Sequence, residues 1–290
     1  MSPETHRRGL TIAFAGIVLL SPESLLIRLV TADRWTILFW RGSLLCVGLM
    51  IASVVLTRSW KVIPAIGRGG LVVALLFGLQ TVGFITSITN TTVANTLVAM
   101  SAAPLFAAIY GRVLFGESIG RRLWLVIAVA IFGIVVMFSG SLGSGGLLGD
   151  LAGLGAAAAY GASFVAIGRY RDRNMVPAMG LGGLVAAIIA LPLASPLSVT
   201  AADFGYLAIS GLVVLPLGFG LLAVAPRFIP APEVGLITLL ETILGPLWVW
   251  LVVAEQPNLR AIIGGSIVVG TLAANSYLGL KTSRRLLASH

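Results

Sequence analysis

The chain has 290 residues, 58% hydrophobic and 10% charged, with a mean hydropathy of +1.04 and a formal net charge of +9. Soluble domains carry about 25% charged residues, so water is excluded as the main solvent. The basic residues are scattered singly and in pairs between apolar runs, which leaves no continuous face for nucleic acid. One cysteine, Cys46, excludes an intramolecular disulfide and a thiol-built metal centre. The two histidines, His6 and His290, lie in the terminal tails, so no cofactor or metal is expected inside the membrane.

A helix crossing a hydrocarbon core of about 30 Å needs about 20 mostly apolar residues. Such runs follow one another at Gly9 to Leu29, Trp35 to Leu56, Gly69 to Thr89, Thr91 to Leu114, Arg122 to Gly140, Gly149 to Gly168, Val176 to Ala194, Gly205 to Val224, Val234 to Val253 and Ala261 to Leu280. The first follows Arg7 and Arg8, as a secretory signal would. It is too long for a signal h-region and lacks a small-residue cleavage site, so it reads as a retained helix.

The basic residues test that count, because cytoplasmic segments carry an excess of Lys and Arg. With the N-terminus inside, one side holds Arg7, Arg8, Arg58, Lys61, Arg68, Arg112, Arg121, Arg122, Arg169, Arg171, Arg173, Arg227, Lys281, Arg284 and Arg285. The other side holds Arg28, Arg34 and Arg260, and Arg41 lies within the second span. The asymmetry predicts ten spans in the cytoplasmic (inner) membrane, with both termini cytoplasmic.

Setting Glu117 against Glu255, an offset of 138 residues, aligns Leu105 to Glu117 with Ile243 to Glu255. Each stretch is an apolar helix ending in a small residue and Glu. A nearly equal offset places Ser24 on Ser163 and Pro22 on Gly161, at matching points of the first and sixth spans. The expected fold is therefore all-α integral membrane, ten transmembrane helices as two five-helix repeats, residues 1–145 and 146–290. Five is odd, so the second repeat runs through the bilayer inverted. Such pairs place binding sites near the midplane between the halves.

The segment Ala94 to Ala108, with Pro104 and followed by Leu114-Phe-Gly-Glu117, resembles the EamA-type drug/metabolite transporter superfamily. So do Leu239-Leu-Glu-Thr242 with Val253-Ala-Glu255, where members often carry Leu-Glu-Pro, and Tyr160-Gly161-Ala-Ser163-Phe164, which is similar to their Trp-Gly-x-x-Phe. The resemblance runs from about residue 9 to residue 280. Ser21-Pro22-Glu23-Ser24 departs from the first-half Trp-Gly motif, and Thr242 stands in place of a common proline. The resemblance implies a ten-helix fold with a central cavity and, as in bacterial relatives, export of amino acids and other amphipathic metabolites.

Charged groups within a span cost about 2.5 to 3.5 kcal/mol on insertion scales and face a cavity or a partner. Three lie well inside: Glu23, Arg41 and Glu241. Glu23 and Arg41 fall at similar depth on adjacent helices, as a structural ion pair or as groups that meet a substrate amine or proton. Glu241 has no obvious basic partner, so its carboxyl faces water or holds a proton. Gln80, Thr81, Asn95, Ser101 and Ser163 add polar groups, of which Gln80 and Asn95 are costliest to bury. Hydroxyls in membrane helices often bond their own backbone. Tyr160 lies deep enough to stack on a ligand or fill space. Among the in-span prolines Pro22, Pro104, Pro216 and Pro246, only Pro22 coincides with an acid.

These residues suggest an exporter of small amphipathic metabolites, amino acids including aromatic ones foremost, working by alternating access. Its partners are a small-molecule substrate and the lipid bilayer, with protons as a candidate coupling ion through Glu23 or Glu241. A flippase or an exporter of drugs, lipids or other metabolites is the alternative. An intramembrane enzyme lacks a nucleophile and base, so none is expected. Oligomeric state is not readable from the chain.

Overall fold

The computed structural model describes residues 3–58, 67–116, 120–140, 146–170, 175–229 and 231–288. Glu117, one arm of the sequence repeat, lies outside them. The protein is all-helical and multi-pass. Among the described residues nine helical segments are long and apolar enough to cross a membrane, and a tenth apolar helix, Val176–Ala190, is shorter. That helix ends four residues before the Ala194 expected from hydropathy, because the chain turns at Leu191–Leu193. Phe14, Val55, Leu71, Val113, Leu125, Phe132 and Leu251 are exposed, an outer surface that suits lipid and would be unstable in water.

The first span is two helices, α1 (Pro3–Leu20) and α2 (Glu23–Leu29), interrupted at Ser21 and Pro22. Pro22 has no N–H to continue the ladder, and its ring crowds the preceding turn. Next come α3 (Arg34–Thr57) and α4 (Gly67–Asn90). The fourth span divides into α5 (Val93–Met100) and α6 (Ala103–Phe115). Then follow α7 (Arg121–Ser139), α8 (Leu147–Arg169) and α9 (Val176–Ala190). The eighth span joins α10 (Ala201–Ala208) to α11 (Leu215–Val224) through a π-helical turn, Ile209–Val214. The ninth divides into α12 (Ala231–Thr238) and α13 (Glu241–Val253), and the last is α14 (Leu259–Ala288).

Breaks in the fourth and ninth spans fall at Ser101–Ala102 and Leu239–Leu240, positions 138 residues apart. Both α6 and α13 are 13 residues long, and both end in a left-handed residue, Gly116 at φ 68° and Ala254 at φ 59°. Of the in-span prolines, Pro22 and Pro104 accompany breaks, whereas α13 runs on through Pro246. Proline alone therefore does not mark the break at Leu239–Leu240.

Packing is closest between α4 and α8, α3 and α9, α7 and α14, and α4 and α9. Small residues permit it. A Cβ added at Gly161 of α8 would meet the Ala103 carbonyl at 2.5 Å and the Phe106 Cβ at 2.8 Å, so α6 and α8 touch through backbone there. Buried Leu45, Leu49, Ile17, Phe77 and Leu215 form one core cluster, and Ile37, Leu38, Phe84, Ile85, Ile88, Leu97 and Val249 contribute to another. Between these layers the helices leave a cavity.

Candidate functional site

Three of the broken spans bring their breaks to one place. Glu23, the first residue of α2, Ser101 between α5 and α6, and Leu239 with Glu241 at the head of α13 all line a cavity of about 710 Å³. Helix ends expose backbone groups without intrahelical partners, so a ligand here meets polar backbone as well as side chains. The remaining wall is mostly apolar, with Phe77, Phe84, Tyr160, Phe164 and Phe219 around it. Tyr160 meets Phe77 edge-on at 6.2 Å and tilts against Phe164 at 4.3 Å.

Of the nine residues singled out from sequence, Glu23, Arg41, Gln80, Ser101, Tyr160 and Glu241 line this cavity. Glu23 and Arg41 are a buried ion pair, 6% and 4% exposed, with Arg41 Nε donating to Glu23 Oε1 at 2.8 Å and Nη2 donating to the same oxygen. The guanidinium sits 5.3 Å from the Phe84 ring centre, and its Nη1 is buried without a hydrogen-bond partner. Glu241 has no hydrogen bond or ion pair among the described residues. Ser101 donates to the Val98 carbonyl at 2.7 Å.

The other three stand outside the wall. Thr81 donates to the Phe77 carbonyl at 2.9 Å, and Ser163 to that of Tyr160 at 2.7 Å, each within its own helix. Asn95 donates from Nδ2 to Asp150 Oδ1 at 2.9 Å, an oxygen that also accepts from Thr91 Oγ1 at 2.6 Å. That ties the start of the fourth span to the start of the sixth. Trp40 donates to the Pro196 carbonyl at 3.0 Å and Trp248 to Ser21 Oγ at 2.9 Å, both as packing and anchoring groups.

The cavity reaches one end of the helix bundle at Gly120, Arg122, Asn275 and Ser276, where Arg122 Nη2 donates to the Asn275 carbonyl. At the opposite end, polar contacts join the helices at residues that do not line the cavity. Arg28 Nε lies 2.9 Å from Glu255 Oε2, and Arg28 Nη2 donates to the Thr91 carbonyl at 2.5 Å. Glu255 Oε1 accepts from Val93 N at 2.7 Å. Nearby, Asp203 accepts from Thr31 N at 3.0 Å and from its hydroxyl at 2.9 Å. Beyond the spans, Asp33 caps α3. Burial disfavours its charge, but bonds from the Thr36 hydroxyl and the Thr36 and Trp35 amides outweigh this and hold its carboxyl below the usual range.

Sequence reasoning did not single out the aromatic wall, Arg122, Asn275 or the Arg28 and Glu255 pair as a site. Phe77, Phe84 and Phe219 resemble any membrane-helix phenylalanine until helix rotation decides which way they face. Arg28 and Glu255 are 227 residues apart.

The described residues thus form a helical, multi-pass protein with a solute-sized cavity between broken helices. Residues 147–277 match the EamA-like transporter family. The chain is similar to the "Uncharacterized transporter YdfC" of Bacillus subtilis (strain 168), 26% identical over 208 residues, which cover 68% of this chain and 66% of that relative. The matched region thus spans just under two thirds of the relative's length. A solved structure described as "Crystal structure of protein" superposes with a TM-score of 0.63 at 16% identity, covering 94% of this chain and 98% of that one, a likeness of fold.

Proposed function

We propose that the protein exports small amphipathic metabolites, amino acids including aromatic ones foremost, across the cytoplasmic membrane by alternating access. The observation that carries this reading is the cavity where three broken spans meet, open toward Arg122 and Asn275, with Arg28 and Glu255 joining helices at the opposite end. A conformation closed at one end only is one half of an alternating cycle. The sealed state answers to an inward-open transporter if Arg122 is cytoplasmic, as the distribution of basic residues indicates.

The matching breaks, equal lengths and left-handed ends of α6 and α13 support two inverted repeats, residues 1–145 and 146–290, with both termini cytoplasmic. A cavity of about 710 Å³ falls within the usual range for small-molecule sites, and its apolar wall with few charged groups suits an amphipath. Within it, Glu23, Arg41, Gln80, Ser101, Tyr160 and Glu241 are the substrate-facing groups of this reading. Glu23 and Glu241 are the groups through which protons would couple.

The test is counterflow of labelled aromatic and aliphatic amino acids in liposomes holding the purified protein, with and without a pH gradient. Saturable uptake above that of empty liposomes is expected. Uptake of no amino acid would overturn the amino-acid reading, and uptake of labelled lipid or another metabolite in its place would move the protein to that class.

A further inference from the structure

We propose that the central cavity selects its cargo by a cationic nitrogen received by Glu241, so that amphipathic monoamines are bound in preference to zwitterions and anions are refused. This deepens the transporter reading and rests on it.

The inference starts from a charge inventory of the wall. Its Asp, Glu, Lys and Arg residues are Glu23, Arg41, Arg122 and Glu241. Glu23 and Arg41 neutralise one another as a buried pair. Arg122 is exposed at the mouth and engages the Asn275 carbonyl. Glu241, deeper along the ninth span, is left without a counter-charge among the described residues. The enclosed part of the cavity therefore carries one acidic side chain more than it carries basic ones.

An uncompensated charge in a space of low polarity attracts an opposite charge more strongly than water would allow, and repels its own sign equally. A protonated amine entering beside Glu241 completes an ion pair. A carboxylate entering the same space adds a second negative charge, while the one deep guanidinium, Arg41, already serves Glu23. The surroundings favour the same choice. Phe77, Phe219, Tyr160 and Phe164 present rings to the cavity, and ring faces attract cations and cover an apolar body. Arg41 already lies against Phe84, so this wall holds a cation over a ring in its resting state. Amino acids enter on these terms through the ammonium group, and their carboxylate meets one negative group more than it meets positive ones, with Arg41 Nη1 as the one deep guanidinium nitrogen left without a partner.

Three probes share an indole and differ in charge: tryptamine, tryptophan and indole-3-acetate. Affinities for the full-length protein would be measured by calorimetry in detergent, and exchange by counterflow in liposomes. Tryptamine is expected to bind and exchange best, tryptophan less well, and indole-3-acetate not at all. Glu241→Gln should weaken tryptamine by about ten- to a hundredfold, the loss of one charged hydrogen-bond partner, and Glu241→Asp should restore part of that loss. The ranking of the probes on the unmodified protein stands even if a variant fails to fold. Indole-3-acetate bound as tightly as tryptamine, or tryptamine binding unaltered in folded Glu241→Gln, would overturn the proposal. Counterflow of tryptophan without any preference for tryptamine would overturn it while leaving amino-acid export in place. Absence of exchange for all three would overturn both.

Discussion

Arg41 is paired inside the membrane with Glu23, one helix away at the same depth. A buried pair contributes little compared with an apolar replacement, but removing one partner strands the other and costs about 3 to 5 kcal/mol. Glu23→Gln is therefore expected to lower the melting temperature in detergent sharply, and adding Arg41→Met should recover most of it. An unchanged melt for Glu23→Gln would show that Arg41 does not depend on this carboxylate. Asp33 is a gentler case. Its bonds to the Trp35 and Thr36 amides and the Thr36 hydroxyl cap α3, so Asp33→Ala should cost about 1 kcal/mol at neutral pH. Because its folded carboxyl lies below the ordinary value of about 3.9, this contribution is complete above that value. It fades as pH falls through the folded value, and chemical unfolding of the two proteins at pH 7 and below pH 3 would reveal the convergence.

Among elements, α2 and α13 behave as a pair. Each begins at a break with an acid in the cavity, Glu23 and Glu241. Arg28 near the end of α2 meets Glu255 just past the end of α13. Opening the sealed end requires this contact and the bonds to Thr91 and Val93 to part, so Glu255→Gln should make the cavity reachable from that side more often. In a Cys46→Ser background, Leu97→Cys places a thiol in the cavity wall, where Leu97 is 5% exposed. Its labelling by an impermeant thiol reagent from the Arg28 face should rise severalfold with Glu255→Gln. Equal labelling would mean that the pair does not hold that end shut. Along α8, Gly161→Val would drive a side chain into the Ala103 backbone, where overpacking costs about 1 to 3 kcal/mol, readable as an earlier thermal transition.

For the whole molecule, the proposed topology of ten crossings has both chain ends on one side. Reporter tags fused at each terminus are expected to read cytoplasmic, and tags on opposite faces would remove the ten-span topology. Much of this architecture was legible beforehand, since apolar runs must cross the bilayer and their ends follow hydropathy to within a few residues. The seventh span was misjudged by four residues, because Leu191 and Leu193 are as apolar in a turn as in a helix. Breaks at Ser101 and Leu239 were illegible for a related reason. Pro104 follows the first, but a proline also sits in unbroken helix at Pro246, and the Leu239 break has no proline beside it, so these turns reflect packing around the cavity more than local propensity.

By itself, then, the sequence determined the solvent of this protein, its all-helical class, the approximate spans and the three charged positions that a membrane would not hold without purpose. Those follow from transfer energies that each residue brings with it. Only the tertiary structure decided which polar groups share a cavity. Helix rotation turned Gln80 and Glu241 into the wall but directed Asn95 to Asp150 and Ser163 back to its own helix. Contacts between residues as distant as Arg28 and Glu255 decided which helices join at the end opposite Arg122, because such pairings depend on the packing of whole helices and leave no periodic trace in the chain.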